Sequence, residues 1–165
     1  MNGPVRVRAA REGDCEALSL LYRRSVEQVG SLHYSPEQVR AWAALAPSAE
    51  HLRALAGDGR LRLVAVDTAD APVAFADLKS DGHIHFLYCA PEAAHRGVTA
   101  NLYRVLEAAA RAEGIARLHA EASEAASRFF RRQGFTVLAR RDFEVAGVAI
   151  HNYAVEKRLS ETAEV

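Results

Sequence analysis

Several features that would identify a protein class at once are scarce in this sequence of 165 residues. It contains two cysteines, Cys15 and Cys89, one tryptophan and one methionine. Two cysteines at this spacing match neither a disulfide framework nor a zinc-binding pattern. No apolar run is long enough for a signal peptide or a membrane span, so we expect a protein of the reducing cytoplasm without a membrane partner.

An excess of charge of either sign is absent as well. The 21 lysine and arginine residues balance the 21 aspartate and glutamate residues, which gives no support to a nucleic-acid partner. Half of the residues are apolar, enough for one compact domain with a substantial core. We therefore expect a single domain over residues 1–165, with an ordered core over about residues 4–159 and a frayed tail over about residues 161–165.

Start signals for three helices follow a short first strand at residues 5–8. Asp14 is a predicted N-cap of the first helix, Ser35 opens a capping box, and Ser48 is a predicted cap of the third. The other predicted elements are strands 61–66, 73–78 and 83–89, a helix from Gly97, strand 117–122, helix 124–133, and a hairpin of strands 136–145 and 148–157. Antiparallel strands first and a parallel βαβ crossover later predict an α/β fold with a mixed, mostly antiparallel sheet and helices on both faces.

The segment from Phe86 to Leu102 is the most informative part of the chain. Its pattern indicates an apolar strand, a loop, and a helix that opens at Gly97. Such a loop directs unpaired N–H groups and the positive helix end to one point, which suits a phosphate, and Arg96 and Thr99 add a charge and a hydroxyl. The loop lacks the glycines of a dinucleotide fingerprint and the ending of a P-loop, which disfavours NAD and nucleoside triphosphates. A single glycine here can also serve chain geometry alone.

The loop resembles the acetyl-CoA-binding motif of the GNAT superfamily, the general-control-related N-acetyltransferases. That motif is (Gln/Arg)-x-x-Gly-x-(Gly/Ala). Gly97 keeps the central glycine, whereas Ala94 stands at the leading position and Thr99 at the last one.

A second stretch, residues 121–135, resembles the family's Asn-x-x-Ala-x-x-Phe-Tyr-x-x-x-Gly-Phe pattern. Ala126, Phe129, Gly134 and Phe135 match, while Ser123 and Phe130 depart from it. Together with His-Tyr-Ser-Pro-Glu-Gln-Val from residue 33 and Asn-Tyr-x-x-x-Lys from residue 152, this resembles an uncharacterised bacterial branch of the superfamily. The resemblance covers residues 5–159.

The resemblance implies the GNAT (acyl-CoA N-acyltransferase) fold and an acetyl-CoA-dependent N-acetyltransferase. Acetyl-CoA would be the co-substrate, no metal would be required, and a primary amine of a small molecule or peptide would attack the thioester directly. The fold often dimerises, so a homodimer is one expected assembly. The departures at Ala94, Thr99, Ser123 and Phe130 leave an alternative, a GNAT-fold acyl-CoA-binding or sensing protein that has lost catalysis.

The resemblance also distributes roles among residues. Cofactor binding falls on Leu87, Tyr88, Cys89, His95, Arg96, Gly97, Val98, Thr99, Ala100, Ser123, Ser127 and Phe130. Strand alignment puts His85 at the position of the family's general base. Because Phe130 cannot donate a proton, Tyr153 becomes the candidate acid, with Tyr103 and Tyr88 as other options. His33, Tyr34, Trp42 and His83 are expected to contact the acceptor.

Each of these residues has an alternative role that carries no chemistry. His85 and His83 can be histidines on a solvent-facing strand surface, and Trp42 at helical spacing with Val39 can belong to the core. A zinc site built from His83, His85, Cys89 and His95 matches no standard spacing. Direct attack by the amine also leaves no need for an acylated Cys89.

Overall fold

The computed structural model describes residues 3–159, so the predicted tail at residues 161–165 lies outside the described residues. The regular elements are β1 (Arg6–Ala9), α1 (Cys15–Val29), α2 (Pro36–Ala43), α3 (Ala49–Ala56), β2 (Leu61–Val66), β3 (Pro72–Leu78), β4 (Ile84–Cys89), α4 (Val98–Ala112), β5 (Arg117–Ala122), α5 (Glu124–Arg132), β6 (Thr136–Val145) and β7 (Val148–Arg158). Short 3-10 turns occupy Glu12–Asp14, Gly30–Leu32 and Pro91–Ala93. The predicted order of elements is confirmed, with shifts of one residue at several ends.

Asp14 is the N-cap residue of α1, as predicted, but its side chain makes no capping hydrogen bond to that helix. It lies at the end of the 3-10 turn with helical φ and ψ of −81° and −17°. Its carboxylate instead accepts the N–H of Arg11 at 2.7 Å and two guanidinium bonds from Arg8 at 2.8 and 3.0 Å. The hydrogen bond from Arg8 lowers the pKa of Asp14. The residue therefore joins β1 to the start of α1.

The strands form two antiparallel sheets, in the orders β1-β2-β3-β4 and β5-β7-β6. One parallel bridge, between His83 and His119, joins them, and the N–H of His119 donates to the carbonyl of Gly82 at 3.1 Å. Within residues 3–159 no further pairing links β4 to β5. The mixed, mostly antiparallel arrangement is thus confirmed, and the two sheets separate towards the carboxyl ends of β4 and β5.

Helices cover both faces of the split sheet. One apolar cluster lies beneath α4 and α5 and includes Leu102, Leu106, Leu118 and Phe130. The other lies beneath α1, α2 and α3 and includes Leu18, Leu52, Val64 and Phe75. Burial of these two clusters holds the helices in place. As a result, α4 and α5 both begin at the edge of the gap, directly after the ends of β4 and β5.

Candidate active site

A cavity of about 530 Å³ lies at the gap between the two sheets. One end is formed by the end of β4, the loop before α4, and α5, with Leu87, Tyr88, Cys89, His95, Gly97, Val98, Thr99, Ala100, Ser123 and Phe129 among the lining residues. The other end is formed by α1, the turn after it and α2, and its lining residues include Ser25, Gln28, His33, Tyr34 and Trp42. The gap therefore brings together most of the predicted site residues.

The loop before α4 leaves the start of that helix open. His95 and Gly97 both have positive φ, 60° and 75°, and no side chain caps α4. A Cβ atom at Gly97 would meet nothing within 4 Å, so free space adjoins the first turn. The N–H groups of that turn and the positive helix end can bind an anion there. An anion such as a pyrophosphate would fit this space, whereas the side chain of Arg96, exposed on the same loop, does not line the cavity.

Backbone donors of β4 also face the gap. The N–H of Ala90 donates to the carbonyl of Val73 at 2.8 Å, beside the pair formed by Ala74 and Cys89. Only every second residue of an antiparallel strand bonds to a given neighbour. The N–H of Cys89 is therefore directed away from β3 and towards the gap, where it can polarise a carbonyl oxygen. Burial raises the pKa of the Cys89 thiol, which keeps that side chain neutral.

The two faces of α5 correct part of the predicted cofactor set. Ser123 caps the helix by accepting the N–H of Ala126 at 3.2 Å, and Phe129 lines the cavity. Phe130 is only 2% exposed and packs on Phe135 with ring centroids 4.7 Å apart. Ser127, one turn earlier on the same face, is buried too. Phe130 and Ser127 thus belong to the core, because the 3.6-residue period turns them away from the gap.

A polar network that the sequence analysis did not predict lies behind Tyr34. The Tyr34 hydroxyl accepts the N–H of Glu124 at 3.0 Å and donates to the carbonyl of His151 at 3.1 Å. The Glu124 carboxylate oxygen Oε1 lies 2.6 Å from His151 Nε2 and accepts the Tyr153 hydroxyl at 2.7 Å. Alternation along β7 gave the available signal, since His151 and Tyr153 share one face. Tyr153 itself does not line the cavity.

These contacts change the ionisation of the network. The hydrogen bond with His151 is the main reason why the pKa of Glu124 lies below its usual value. Hydrogen bonding to that carboxylate raises the pKa of Tyr153. Burial raises the pKa of Tyr34 to about 12. At neutral pH the cavity is therefore lined by a neutral Tyr34 phenol, with the charge of Glu124 held behind it.

Aromatic rings form the wall opposite α4. Tyr34 packs against Trp42 with ring centroids 5.3 Å apart, and Trp42 also meets Phe143 at 6.4 Å. Tyr88 packs against Tyr22 at 4.3 Å, and burial raises the pKa of both phenols. The predicted substrate residues Tyr34 and Trp42 therefore lie together on one wall.

A β-bulge moves His85 off the face expected from strand alternation. Ala76 pairs with Leu87 and Leu78 pairs with Ile84. Between these two pairs β3 has one residue and β4 has two, so β4 contains one extra residue. The extra residue brings the ring of His85 over Phe86, with centroids 4.1 Å apart. His85 does not line the cavity.

Arg60 determines the tautomer of His85. Its Nη1 lies 2.8 Å from His85 Nδ1 and donates at 3.1 Å to Asp77, which is fully buried and also bonded to Arg62. A guanidinium group can only donate hydrogen bonds, so Nδ1 accepts and the neutral ring carries its hydrogen on Nε2. Burial, followed by the charge of Arg60, lowers the pKa of His85. A base role for His85 stays a prediction, and it requires the bond to Arg60 to open.

His83 is engaged at the closed end of the gap. Its Nε2 lies 2.6 Å from Glu121 Oε2, and its ring stacks between those of His85 and His119, at 5.7 and 5.0 Å. It does not line the cavity, in contrast to the predicted substrate residue His33. Among residues 3–159, no group of three or more histidine, cysteine, aspartate or glutamate side chains is arranged to hold a metal ion.

A sheet that splits beside an open helix start, with one cavity through the split, defines a fold of acyl-CoA acyltransferases. Comparison with family models gives the same class. Residues 31–157 match the model described as acetyltransferase (GNAT) domain. The chain belongs to the GNAT superfamily of N-acetyltransferases.

Relatives match this chain over nearly its full length. The uncharacterised N-acetyltransferase YafP of Escherichia coli strain K12 is 27% identical over 149 residues, which are 90% of this chain and 93% of YafP. A GCN5-related N-acetyltransferase from Rhodopseudomonas palustris superposes with a TM-score of 0.85 and 32% identity, covering 96% and 98% of the two chains. The PaiA N-acetyltransferase of Thermoplasma acidophilum, solved with coenzyme A, gives a TM-score of 0.73 and 23% identity over 94% and 99%.

No helix within residues 3–159 is long and apolar enough to cross a membrane.

Proposed function

We propose that this protein transfers the acetyl group of acetyl-CoA to a primary amine of a small molecule or peptide by direct attack. The observation that carries the proposal is that one continuous cavity runs from the open start of α4 to the wall formed by α1 and α2. A donor and an acceptor can therefore meet inside one space without a covalent enzyme intermediate.

The loop before α4 is the proposed site of the coenzyme A pyrophosphate. The N–H groups from Val98 onward, the side chain of Arg96 and the Thr99 hydroxyl supply donors of the right kind. The open space at Gly97 supports this placement, because a phosphate group needs a close approach to the backbone. The structure of PaiA with coenzyme A supports the same cofactor.

Acetyl transfer then requires polarisation of the thioester carbonyl. We assign this task to the N–H of Cys89, with Leu87 on the same edge of β4. A fixed backbone donor directed at a developing oxyanion is worth about 3 kcal/mol in a site shielded from water. The amine nitrogen forms a bond to the acetyl carbon, the carbon–sulfur bond breaks, and the proton lost by nitrogen ends on the thiol.

The reaction also needs a base for the amine proton and an acid for the departing thiolate, and we propose candidates for both. His85 can act as base once Nδ1 is released from Arg60. The hydroxyl of Tyr153 donates to Glu124 and that of Tyr34 donates to the carbonyl of His151, and of these two phenols Tyr34 lines the cavity. A thiolate also leaves without full protonation, since its reference pKa is about 8.5. Weak acid catalysis would therefore slow the reaction without abolishing it.

A free-thiol assay with acetyl-CoA and a panel of amines tests the transfer, and thermal unfolding with acetyl-CoA tests cofactor binding independently. We expect acetyl-CoA at a hundred times its Kd to stabilise the fold by about 2.7 kcal/mol, and thiol release to depend on an added amine. Stabilisation without thiol release from any amine would exclude the enzyme.

That negative result would support the second candidate, an acyl-CoA-binding or sensing protein. The core position of Phe130 favours this candidate, because a phenylalanine stands where the family usually has a tyrosine and it cannot donate a proton. A homodimer and a cytoplasmic location stay predictions.

A further inference from the structure

The acceptor end of the cavity carries no negative charge. We define the acceptor wall as the cavity-lining residues from Ser25 to Trp42, on α1, the turn after it and α2. Within residues 3–159, neither aspartate, glutamate nor lysine lines any part of the cavity. Its ionisable side chains are neutral or basic: His33, Tyr34, Tyr88, Cys89, His95 and Arg132. An acceptor that enters as a cation therefore finds no counter-ion.

Two carboxylates near the wall, Glu124 and Glu92, are held in ion pairs or hydrogen bonds, and the exposed Glu27 and Glu37 on α1 and α2 do not line the cavity. Glu124 lies behind Tyr34, with Oε1 bound by His151 and Tyr153. Glu92 is paired with Arg24 at 2.6 Å. Neither of these carboxylates lines the cavity. Transfer of an ammonium group from water to a site without a lining carboxylate carries a desolvation cost that no ion pair offsets.

The acceptor wall and the adjoining part of β4 offer flat aromatic surface, Tyr34 and Trp42 on the wall and Tyr88 on β4. The rings of Tyr34, Trp42 and Tyr88 all line the cavity. Tyr34 is fixed by its two hydrogen bonds, to Glu124 and His151, and by the ring of Trp42. A wall of fixed rings favours a planar apolar group, and it can bind one without losing much conformational entropy.

From these two properties we infer that the acceptor is an aromatic amine, with its primary amino group attached directly to the ring. The inference rests on the proposed acetyl transfer. Delocalisation of the nitrogen lone pair into the ring leaves such an amine uncharged at neutral pH, so it needs neither a counter-ion nor a base before attack. This removes the dependence on His85, whose Nδ1 is held by Arg60. The products are an aryl acetamide and the free thiol of coenzyme A, which balances the atoms and the proton.

Two isomers isolate the effect of charge. Para-toluidine and benzylamine have the same atoms and nearly the same shape, but only benzylamine is protonated at pH 7. We expect thiol release with acetyl-CoA to have a kcat/KM at least about tenfold higher for para-toluidine, which corresponds to about 1.4 kcal/mol. Equal or higher kcat/KM for benzylamine, or for spermidine, would overturn the inference.

Binding gives a readout that does not depend on turnover. Trp42 is the only tryptophan of the chain and lies on the acceptor wall, so its fluorescence reports an acceptor directly. Saturable quenching by para-toluidine, and weaker quenching by benzylamine, is the expected result without acetyl-CoA. If no amine released thiol, acetyl transfer would be refuted, yet the quenching would still decide the acceptor class. Absence of quenching by para-toluidine would refute the inference alone.

A charge added to the wall provides a reverse test. Gln28 is an exposed residue on the wall, and Gln28→Glu supplies the missing carboxylate with little change in shape. We expect this variant to lower the preference for para-toluidine over benzylamine by at least about fivefold, or about 1 kcal/mol. Glu27→Gln is the matched control, because Glu27 neighbours Gln28 but does not line the cavity. An unchanged preference in Gln28→Glu, or an equal change in both variants, would contradict the inference.

Discussion

The hydroxyl of Tyr34 accepts a hydrogen bond from the backbone N–H of Glu124 at 3.0 Å, across 90 residues of sequence. Through this bond, the segment that precedes α2 is tied to the first residue of α5, on the other side of the cavity. The acceptor end and the donor end of the site are thus held together by a side chain that also lines the space between them.

Replacement of that hydroxyl is the first test. Tyr34→Phe removes the bonds to Glu124 and His151 while it keeps the ring, so we expect a loss of about 1–3 kcal/mol in the free energy of unfolding. The acceptor KM should rise while the affinity for acetyl-CoA is retained. Urea unfolding and steady-state kinetics measure the two effects. Trp42→Phe is a useful comparison, because it alters the same wall without breaking this link.

Substitutions at Gly97 test whether the loop before α4 binds the pyrophosphate, and a control variant separates this effect from backbone strain. Its φ of 75° disfavours any L side chain, so Gly97→Ala should cost about 1 kcal/mol of stability. Gly147 has a φ of 79° and equally open surroundings, and Gly147→Ala is therefore a control for strain. Calorimetric titration with acetyl-CoA should give weaker binding for Gly97→Ala only, and a far larger loss for Gly97→Asp. Normal affinity in Gly97→Asp would rule out this placement of the pyrophosphate.

Substitutions at Phe130 and Phe129 test whether the first faces the core and the second faces the cavity. Phe130→Tyr puts a hydroxyl into the core beside Phe135, which should cost about 1–3 kcal/mol of stability without raising kcat. Phe129→Tyr places the hydroxyl on the cavity wall and should be tolerated. Thermal unfolding and thiol release separate the two variants. A clear gain in kcat for Phe130→Tyr would show that this residue faces the departing thiolate after all.

His85 should make the fold less stable in mild acid. Its pKa in the folded protein is lowered from 6.5 by burial and by Arg60, so below about pH 6.5 the unfolded chain binds a proton that the folded chain does not. Its contribution to stability is full above that pH and is lost as the pH falls towards the folded pKa. His85→Gln should flatten this part of the curve of unfolding free energy against pH. An unchanged curve would mean that His85 is not the cause.

Much of the fold could be predicted from the sequence because its signals are local. The capping box at Ser35 forms with the predicted bonds to Gln38, at 3.1 and 2.9 Å. Ala146 and Gly147, at the predicted hairpin turn, both have positive φ. Hydrogen bonds within a few residues and the steric demands of a tight turn depend little on the rest of the chain.

Features that depend on distant contacts could not be predicted in the same way. Aspartate is a common N-cap residue, but once β1 is in place the carboxylate of Asp14 binds the guanidinium group of Arg8 instead of the N–H groups of α1. The bulge in β4 becomes apparent only when its register with β3 is known, and it is this bulge that brings His85 to Arg60. Motif alignment gave Phe130 a place in the cofactor site, whereas the packing of Phe135 decides which face of α5 is buried. Glu124 and His151 belong to no local motif, and tertiary folding alone unites them.

The two ends of the cavity are formed by two separate segments of the sequence. Its acceptor wall comes from one continuous piece, residues 25–42, and its donor end from another, residues 87–133. The first piece can therefore be exchanged for the corresponding segment of a relative that keeps a tyrosine at the position of Tyr34, because that side chain carries the link to Glu124 at the donor end. Recombination at this boundary offers a simple route by which a lineage, or an engineer, can change the amine that is used and keep the acetyl donor constant.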